Sequence, residues 1–379
     1  MKNKYYLILC LLLFGCGRQI VDDSDIYSIN PTGKNVLKMS DFVDSVRYIT
    51  LESTRNSKIG SISEVVKDDD NLIIRSRDAI YIYNESGVFQ SSVNKKGRGR
   101  GEYLSIDAMT VDCKNNQIII CCNAQRSLLY YSYDGKFIKK ITHFGEKRPY
   151  IRDIKYLQNR TFLCSDYLHS RESLYKLWVL NEDGTLVEDL VVGEFSHPVS
   201  TPDFTIFDIS DNSVGFMDIS KDRDFVYHNG MMSLVTSYDV NGLVASDFKN
   251  VDISEFSQKY WLKGRSFNSR ANTQYKGDYI LSRWKGEDRN SYYTLVNRIS
   301  GEVIVGDQID GRLSNSQMVY PTRQSNGYYS FIKNNIDGVI TTEINISDID
   351  DSNIIKLLNL KEDDIDNINP AIQFLYVKK

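Results

Sequence analysis

One phrase recurs along the chain: a hydrophobic strand, a short polar turn closing on glycine, and a second hydrophobic strand. It reads AIYIYNESGVF at residues 79–89, SLLYYSYDGKFI at 127–138 and LWVLNEDGTLV at 177–187. The turn glycines Gly87, Gly135 and Gly184 recur at intervals of roughly 48 residues, and a fixed period of that size marks a repeat architecture. Each unit of such a fold buries its faces only against its neighbours. Weaker copies turn at Gly242 and Gly301, with intervals stretched to roughly 58 residues. Within the first period, at 57–94, ISEVVKD, NLIIRS, AIYIYN and VFQSSV read as four strands separated by Asp, Asn and Gly turns. Four strands per unit is the pattern of a β-propeller. Further units are expected at 104–143, 150–193, 203–248, 264–309 and 318–346, the fourth and fifth carrying insertions. The sequence therefore predicts an all-β chain, a six-bladed β-propeller of four-stranded antiparallel blades.

Two segments lie outside the glycine-marked series. VLKMSDFVDSVRYITLE at 36–52 and AIQFLYVKK at 371–379 both suit strands, and pairing them in one blade would close the ring through sequence-distant contacts. Short helices are expected at 252–264 and in SDIDDSNIIKLLNL, where Ile354, Ile355, Leu357 and Leu358 follow acidic residues. The 25 Tyr and 16 Phe against six Pro favour pleated, half-buried strands. A net charge of −4 gives no electrostatic footprint for nucleic acid, so no nucleic-acid partner is expected.

The first residues read as a targeting segment. Lys2 and Lys4 precede an apolar run at 5–14, about half of what a membrane-spanning helix needs, and the run ends in Leu13-Phe14-Gly15-Cys16. That ending resembles the bacterial lipobox, which implies cleavage before Cys16 and lipidation of its thiol. The domains then read as a signal peptide at 1–16, a tether at 17–35 and the propeller at 36–379. Gly17 after the cysteine implies, by the same resemblance, an outer-membrane lipoprotein, on the periplasmic side or at the cell surface. Of the remaining cysteines, Cys121, Cys122 and Cys164 sit on or beside strands and suit free, buried thiols. A disulfide from Cys113 to Cys121 or Cys122 is the alternative in an oxidising compartment. Adjacent Cys121 and Cys122 would face opposite sides of a sheet.

A family likeness rests on KKGRGRGEYLSIDAMTVDCKNNQIIICCNAQRSLLYYSYDGKFIKKI at 95–141 and on the Asn369-Pro370 strand. The first has a glycine-rich start ending in Gly-Glu-aromatic, an inner strand ending in Val-Asp, and a strand–turn–strand around Asp-Gly, and it resembles an NHL-type propeller repeat. With the lipobox, the whole mature chain resembles the six-bladed β-propeller lipoproteins of Bacteroidetes. The resemblance implies a fold and a cell-envelope location, and no defined reaction.

The loop Gly97-Arg98-Gly99-Arg100-Gly101-Glu102-Tyr103 is the first candidate for ligand binding, since glycines let amides approach an anion and arginines pair with carboxylate or phosphate. It lacks the ending of a phosphate loop, so it reads first as a crossover between blades, with Glu102 paired to an arginine. Arg98 and Arg100 remain candidate contacts. Trp261 and Trp284 are candidates for stacking on a sugar or peptide, against the alternative that aromatic residues wedge blade against blade. His143, His169, His197 and His228 show no metal-ligand spacing, and no nucleophile elbow accompanies them. No catalytic residue, metal or cofactor is assigned. The reading is a monomer, held to the membrane through its N-terminal lipid, that binds a glycan, a peptide or an envelope protein. The alternatives are a lyase or hydrolase at the mouth of the ring, and an accessory partner of an outer-membrane transporter.

Overall fold

A computed structural model describes residues 21–31, 35–142, 151–157, 159–166, 177–190, 206–210, 213–218, 223–228, 230–242, 269–286, 288, 290–323, 328–346, 352–358, 360 and 368–379. Three strands come first: β1 (Val21–Ile29), β2 (Val36–Lys38) and β3 (Val43–Ile49). Next are β4 (Glu64–Asp68), β5 (Asn71–Arg75), β6 (Ile80–Asn84) and β7 (Phe89–Val93), then β8 (Ala108–Asp112), β9 (Gln117–Cys122), β10 (Ser127–Ser132) and β11 (Phe137–Thr142). The middle of the chain forms β12 (Ile151–Tyr156), β13 (Thr161–Asp166), β14 (Leu177–Asn181) and β15 (Leu186–Leu190), then β16 (Ile206–Ser210), β17 (Ser213–Asp218), β18 (Arg223–His228) and β19 (Met231–Val240). After these come β20 (Ser269–Lys276), β21 (Tyr279–Lys285), β22 (Ser291–Asn297), β23 (Val303–Gly306) and β24 (Gln308–Asp310). The last elements are β25 (Phe331–Asn334), β26 (Val339–Ile344), the helix α1 (Ser352–Leu357) and β27 (Ala371–Val377).

These strands hydrogen-bond as meanders. β8–β11, β12–β15 and β20–β23 each form a four-stranded sheet, and β16–β19 form another to which β1 adds in parallel as a fifth strand. An eight-stranded sheet runs β3-β27-β26-β25-β4-β5-β6-β7, and β2 pairs with β24. The fold is an all-β propeller. Its hydrogen bonds do not divide it into the six separate four-stranded blades expected from sequence. The reason is a short parallel pairing of β25 with β4, Lys333 opposite Glu64 and Asn334 opposite Val65, which makes one sheet of two meanders. β27 lies between β26 and β3, so the expected pairing of the two chain ends is present.

Most middle strands are buried on both faces, because each sheet is covered by a neighbour on either side. On β5 and β6, Leu72, Ile74, Tyr81 and Tyr83 enter one core cluster, while Ile73, Ile80 and Ile82 enter the next. Cys121 and Cys122 divide between two clusters in the same way, and all four described cysteines are free thiols.

The recurring glycines owe their place to a close approach. Gly87 has φ +80°, and a Cβ there would stand 2.0 Å from the Thr50 carbonyl oxygen just beyond β3. Gly135 has φ +75°, and its Cβ would stand 2.5 Å from the Ser92 carbonyl oxygen on β7. Each of these two turns therefore rests on the outer strand of the preceding meander, at a distance only glycine permits. Gly242 does not play this part. It follows β19, whereas the turn between β18 and β19 falls at Gly230, so the extra length lies between β19 and β20. Residues 21–29 of the stretch read as tether form β1, with Tyr27 and Ile29 buried. The second expected helix is α1; the first, at 252–264, lies outside the described residues.

Glu343 on β26 accepts a hydrogen bond from the Ile62 amide at 2.8 Å. Burial raises its pKa, against the opposing pull of that amide and of Arg323. The folded state therefore binds this proton more tightly than the unfolded state, and stability is lost as pH rises through the folded value. Glu343→Gln keeps the acceptor without the charge. It should raise the urea midpoint at neutral pH, with the gain shrinking as pH falls from the raised folded value towards the ordinary 4.5 and absent below it. A gain that does not change with pH would remove ionisation as the cause.

Candidate binding site

The first strands of several meanders converge and bring charged side chains together. Lys333 on β25 places its ammonium 2.7 Å from Asp153 on β12 and 3.5 Å from Glu64 on β4, and Arg75 on β5 lies 3.6 Å from the same glutamate. Lys276 on β20 donates to the Asn334 side chain at 3.1 Å and to the Ile336 carbonyl at 2.8 Å. Glu64, Asp153, Lys276 and Asn334 are all buried. These groups face one another rather than an open mouth, and their arrangement fits cross-ring locking better than recognition.

A second buried centre joins β18 to β20. The Arg270 guanidinium donates through Nη1 to Asp224 Oδ2 at 2.7 Å, and the same carboxylate oxygen accepts from the hydroxyls of Tyr238 and Tyr275 at 2.9 and 2.7 Å. Tyr238 and Trp284 lie under the guanidinium, with ring centroids 4.2 and 5.9 Å away. Burial works to lower the Arg270 pKa, but the charge of Asp224 and the tyrosine hydroxyls outweigh it and raise the value. Sequence reading does not find this centre, because the aspartate and arginine sit in different meanders with no shared motif.

The open site lies elsewhere. A groove of about 520 Å³ on the side of the β4–β7 meander is lined by Arg55, Lys58, Tyr81, Phe89, Ser92 and Asn94 among others, none of them acidic. Arg55 and Lys58 are exposed, and neither has an acidic partner among the described residues. They stand on the connection from β3 to β4, which is pinned from the far end of the chain. Asn369, buried, accepts from the Ile59 amide at 2.8 Å and donates to the carbonyls of Ser57 and Glu52 at 2.7 and 3.0 Å. The Tyr83 hydroxyl, its pKa raised by burial to about 12, bonds the same two carbonyls as a neutral donor. The Tyr81 hydroxyl donates to the Lys58 carbonyl at 2.8 Å. The two cations are thus presented by an anchored loop. A polar groove with fixed cations and a half-buried aromatic edge suits a ligand that combines hydroxyls with an acidic group.

The residues singled out in sequence fare unevenly. Arg98 and Arg100 are exposed on the crossover between β7 and β8. Glu102 does not pair with either; its carboxylate accepts the Gly99 amide at 2.7 Å, folding the loop upon itself. Gly101, φ +75°, packs where a Cβ would meet the Phe137 ring at 2.5 Å. Trp284 is fully buried and donates to Thr294 Oγ1 at 3.1 Å, so it wedges sheets together and offers no stacking face. Trp261, Cys16 and three of the histidines lie outside the described residues. His228 is exposed, its Nδ1 2.9 Å from the Ser213 hydroxyl. Nothing in the sequence marks Arg55 and Lys58 as site residues, and Asn369 stands out there only as part of the closing strand. The only signal for Asn369 is its place before Pro370 and β27.

The sequence profile of a family described as a domain of unknown function, DUF4934, matches residues 25–376. No curated protein matches the chain. Among solved structures, a protein assigned as exported from Bacteroides fragilis is similar at 15% identity with a TM-score of 0.72, covering 94% of this chain and 100% of its own. A member of the DUF4221 family from Bacteroides vulgatus is similar at 9% identity with a TM-score of 0.51, covering 89% of this chain and 97% of its own. At such identities the likeness speaks for the fold. Among the described residues no helix is long and apolar enough to cross a membrane.

Proposed function

The chain belongs to the DUF4934 family, and from that premise we propose that it is a lipid-anchored β-propeller of the cell envelope that works as a binding module for a glycan or peptide. The observation that carries this reading is the open groove whose two cations, Arg55 and Lys58, stand on a pinned loop without acidic partners. The buried charges are engaged with one another, whereas these face solvent. A count of six blades is supported by the strand grouping: β4–β7, β8–β11, β12–β15, β16–β19 and β20–β23 are five meanders, and β25–β27 with β3 make a sixth. The eight-stranded sheet is then two blades joined through the β25–β4 pairing. The envelope location draws on the lipobox-like Leu13-Phe14-Gly15-Cys16 and on the exported relative of the same fold.

Calorimetry of the full chain in detergent, with trigalacturonate and with a short acidic peptide as probes, tests the groove. Arg55→Ala with Lys58→Ala should weaken binding of one of them by about tenfold or more, as expected for loss of charge-assisted hydrogen bonds. Binding of neither probe, or binding indifferent to the substitutions, would overturn the groove. Cys16→Ala should release the protein from the membrane fraction; retention with unchanged lipid labelling would overturn the anchor.

A further inference from the structure

The groove opens onto a wider cationic surface. Asn94, which lines the groove, leads into the crossover between β7 and β8 that carries Lys95, Arg98 and Arg100. This loop is closed by its own hydrogen bonds: the Gly97 amide donates to the Tyr103 carbonyl at 2.9 Å, and the Tyr103 amide to the Lys95 carbonyl at 3.0 Å. The Tyr103 hydroxyl donates to the carbonyl of Asp78 at 2.8 Å, which ties the loop to the β5–β6 turn bearing Arg77. On its other side the Gln125 amide donates to the Gly97 carbonyl at 3.5 Å and accepts from the Lys140 ammonium at 3.3 Å. Arg126 follows Gln125 in the β9–β10 connection and is exposed. One fixed surface therefore carries cations from three connections.

The carboxylates of this surface are already committed. Asp78 pairs with Lys96 at 3.0 Å, Glu102 turns inward to Gly99, and Asp107 accepts the Asn123 amide at 2.7 Å. Arg77, Arg98, Arg100 and Arg126 are exposed, and none has an acidic partner among the described residues. In a chain of net charge −4, such a concentration of like charge repels itself and is relieved by an outside anion. Guanidinium forks match carboxylate and phosphate in a bidentate way that ammonium groups do not.

We infer that the surface running from the groove through Arg98 and Arg100 to Arg126 and Lys140 binds an extended acidic polysaccharide. This rests on the binding-module reading and adds the ligand's class and its track. A polymer fits because the cations are strung along connections of two meanders instead of encircling one point. A lipid surface fits less well because of where β1 starts. Val21 lies opposite Ser233, beside the β18–β19 turn, and only at Ile29, opposite Val240, does β1 reach the end of β19 that leads into a crossover. A lipid at Cys16 would thus hold the turn end of that outer strand, with the crossover at its other end.

The test uses the full chain in detergent with polygalacturonate, with uncharged dextran, phosphatidylglycerol vesicles and duplex DNA as comparisons. Binding should be selective for polygalacturonate and should weaken steeply with salt. Arg98→Glu with Arg100→Glu, and separately Arg126→Glu with Lys140→Glu, should each reduce polymer affinity by about tenfold or more while leaving trigalacturonate binding in the groove within about twofold. Unfolding midpoints within error of the parent would show that these exposed substitutions leave the fold intact. Polymer binding unchanged by either pair overturns the inference, as does a preference for vesicles or for DNA. Trisaccharide binding indifferent to Arg55→Ala, with polymer binding weakened by both track pairs, would confine the failure to the groove; trisaccharide binding lost on Arg55→Ala, with polymer binding unchanged by the track pairs, would confine it to the track.

Discussion

Replacing Arg270 with methionine will destabilise the protein by roughly 3–5 kcal/mol, the range for removing one partner of a buried ion pair. The substitution leaves Asp224, fully buried, with two tyrosine hydroxyls and no counter-charge. It also removes the cation stacked on Tyr238 and near Trp284. A second substitution, Asp224→Leu, should recover a large part of the loss, since a buried pair replaced by apolar groups of similar volume is often close to neutral. Urea unfolding of the parent, the single and the double variant reads this directly. A single variant as stable as the parent would mean that this centre adds nothing to holding the sheets together.

Lys333→Met will have an effect of the same order, about 3–5 kcal/mol, for a different reason. Lys333 stands between Asp153 and Glu64, so its removal takes away the ammonium that two buried carboxylates share, Arg75 staying 3.6 Å from Glu64. These groups come from β4, β12 and β25, and the loss should therefore appear as reduced cooperativity of the whole unfolding transition rather than as fraying of one sheet. Adding Asp153→Asn and Glu64→Gln to Lys333→Met should restore part of the stability. If the triple variant is weaker than the single one, mutual repulsion of the carboxylates is not the source of the cost.

The fold was more legible than the site, and particular residues show why. The demand at Gly87 and Gly135 is local, a positive φ within a tight turn, so it leaves a periodic trace in sequence. Gly242 misleads because SYDVNGLV imitates the phrase, whereas the actual turn falls at Gly230, where the sequence reads Asn-Gly, itself a strong hairpin signal. Arg98 and Arg100 were visible as a glycine-rich basic loop, but the neighbours that extend them, Arg77, Arg126 and Lys140, are joined only through Tyr103 and Gln125. Trp284 shows the opposite limit: its composition class suits a ligand platform equally well, and only its position between Arg270 and Thr294 decides that it is a wedge. The pairings Lys333–Asp153 and Asn369–Ser57 connect residues far apart in the chain, and nothing local announces them.

The position of β27 between β26 and β3 sets the order in which this molecule can be made. β3 emerges from the ribosome roughly three hundred residues before the strand that covers its edge, Ile49 waiting for Ile372. Until then β3 offers an unpaired strand edge to any other extended chain, the situation that favours mispairing and aggregation. A premature stop that removes only 371–379 would not yield a slightly trimmed protein. It would leave β3 and β26 without their shared partner and remove Ile372 and Phe374 from the core they share with Leu51, Ile59 and Ile62, which flank Arg55 and Lys58.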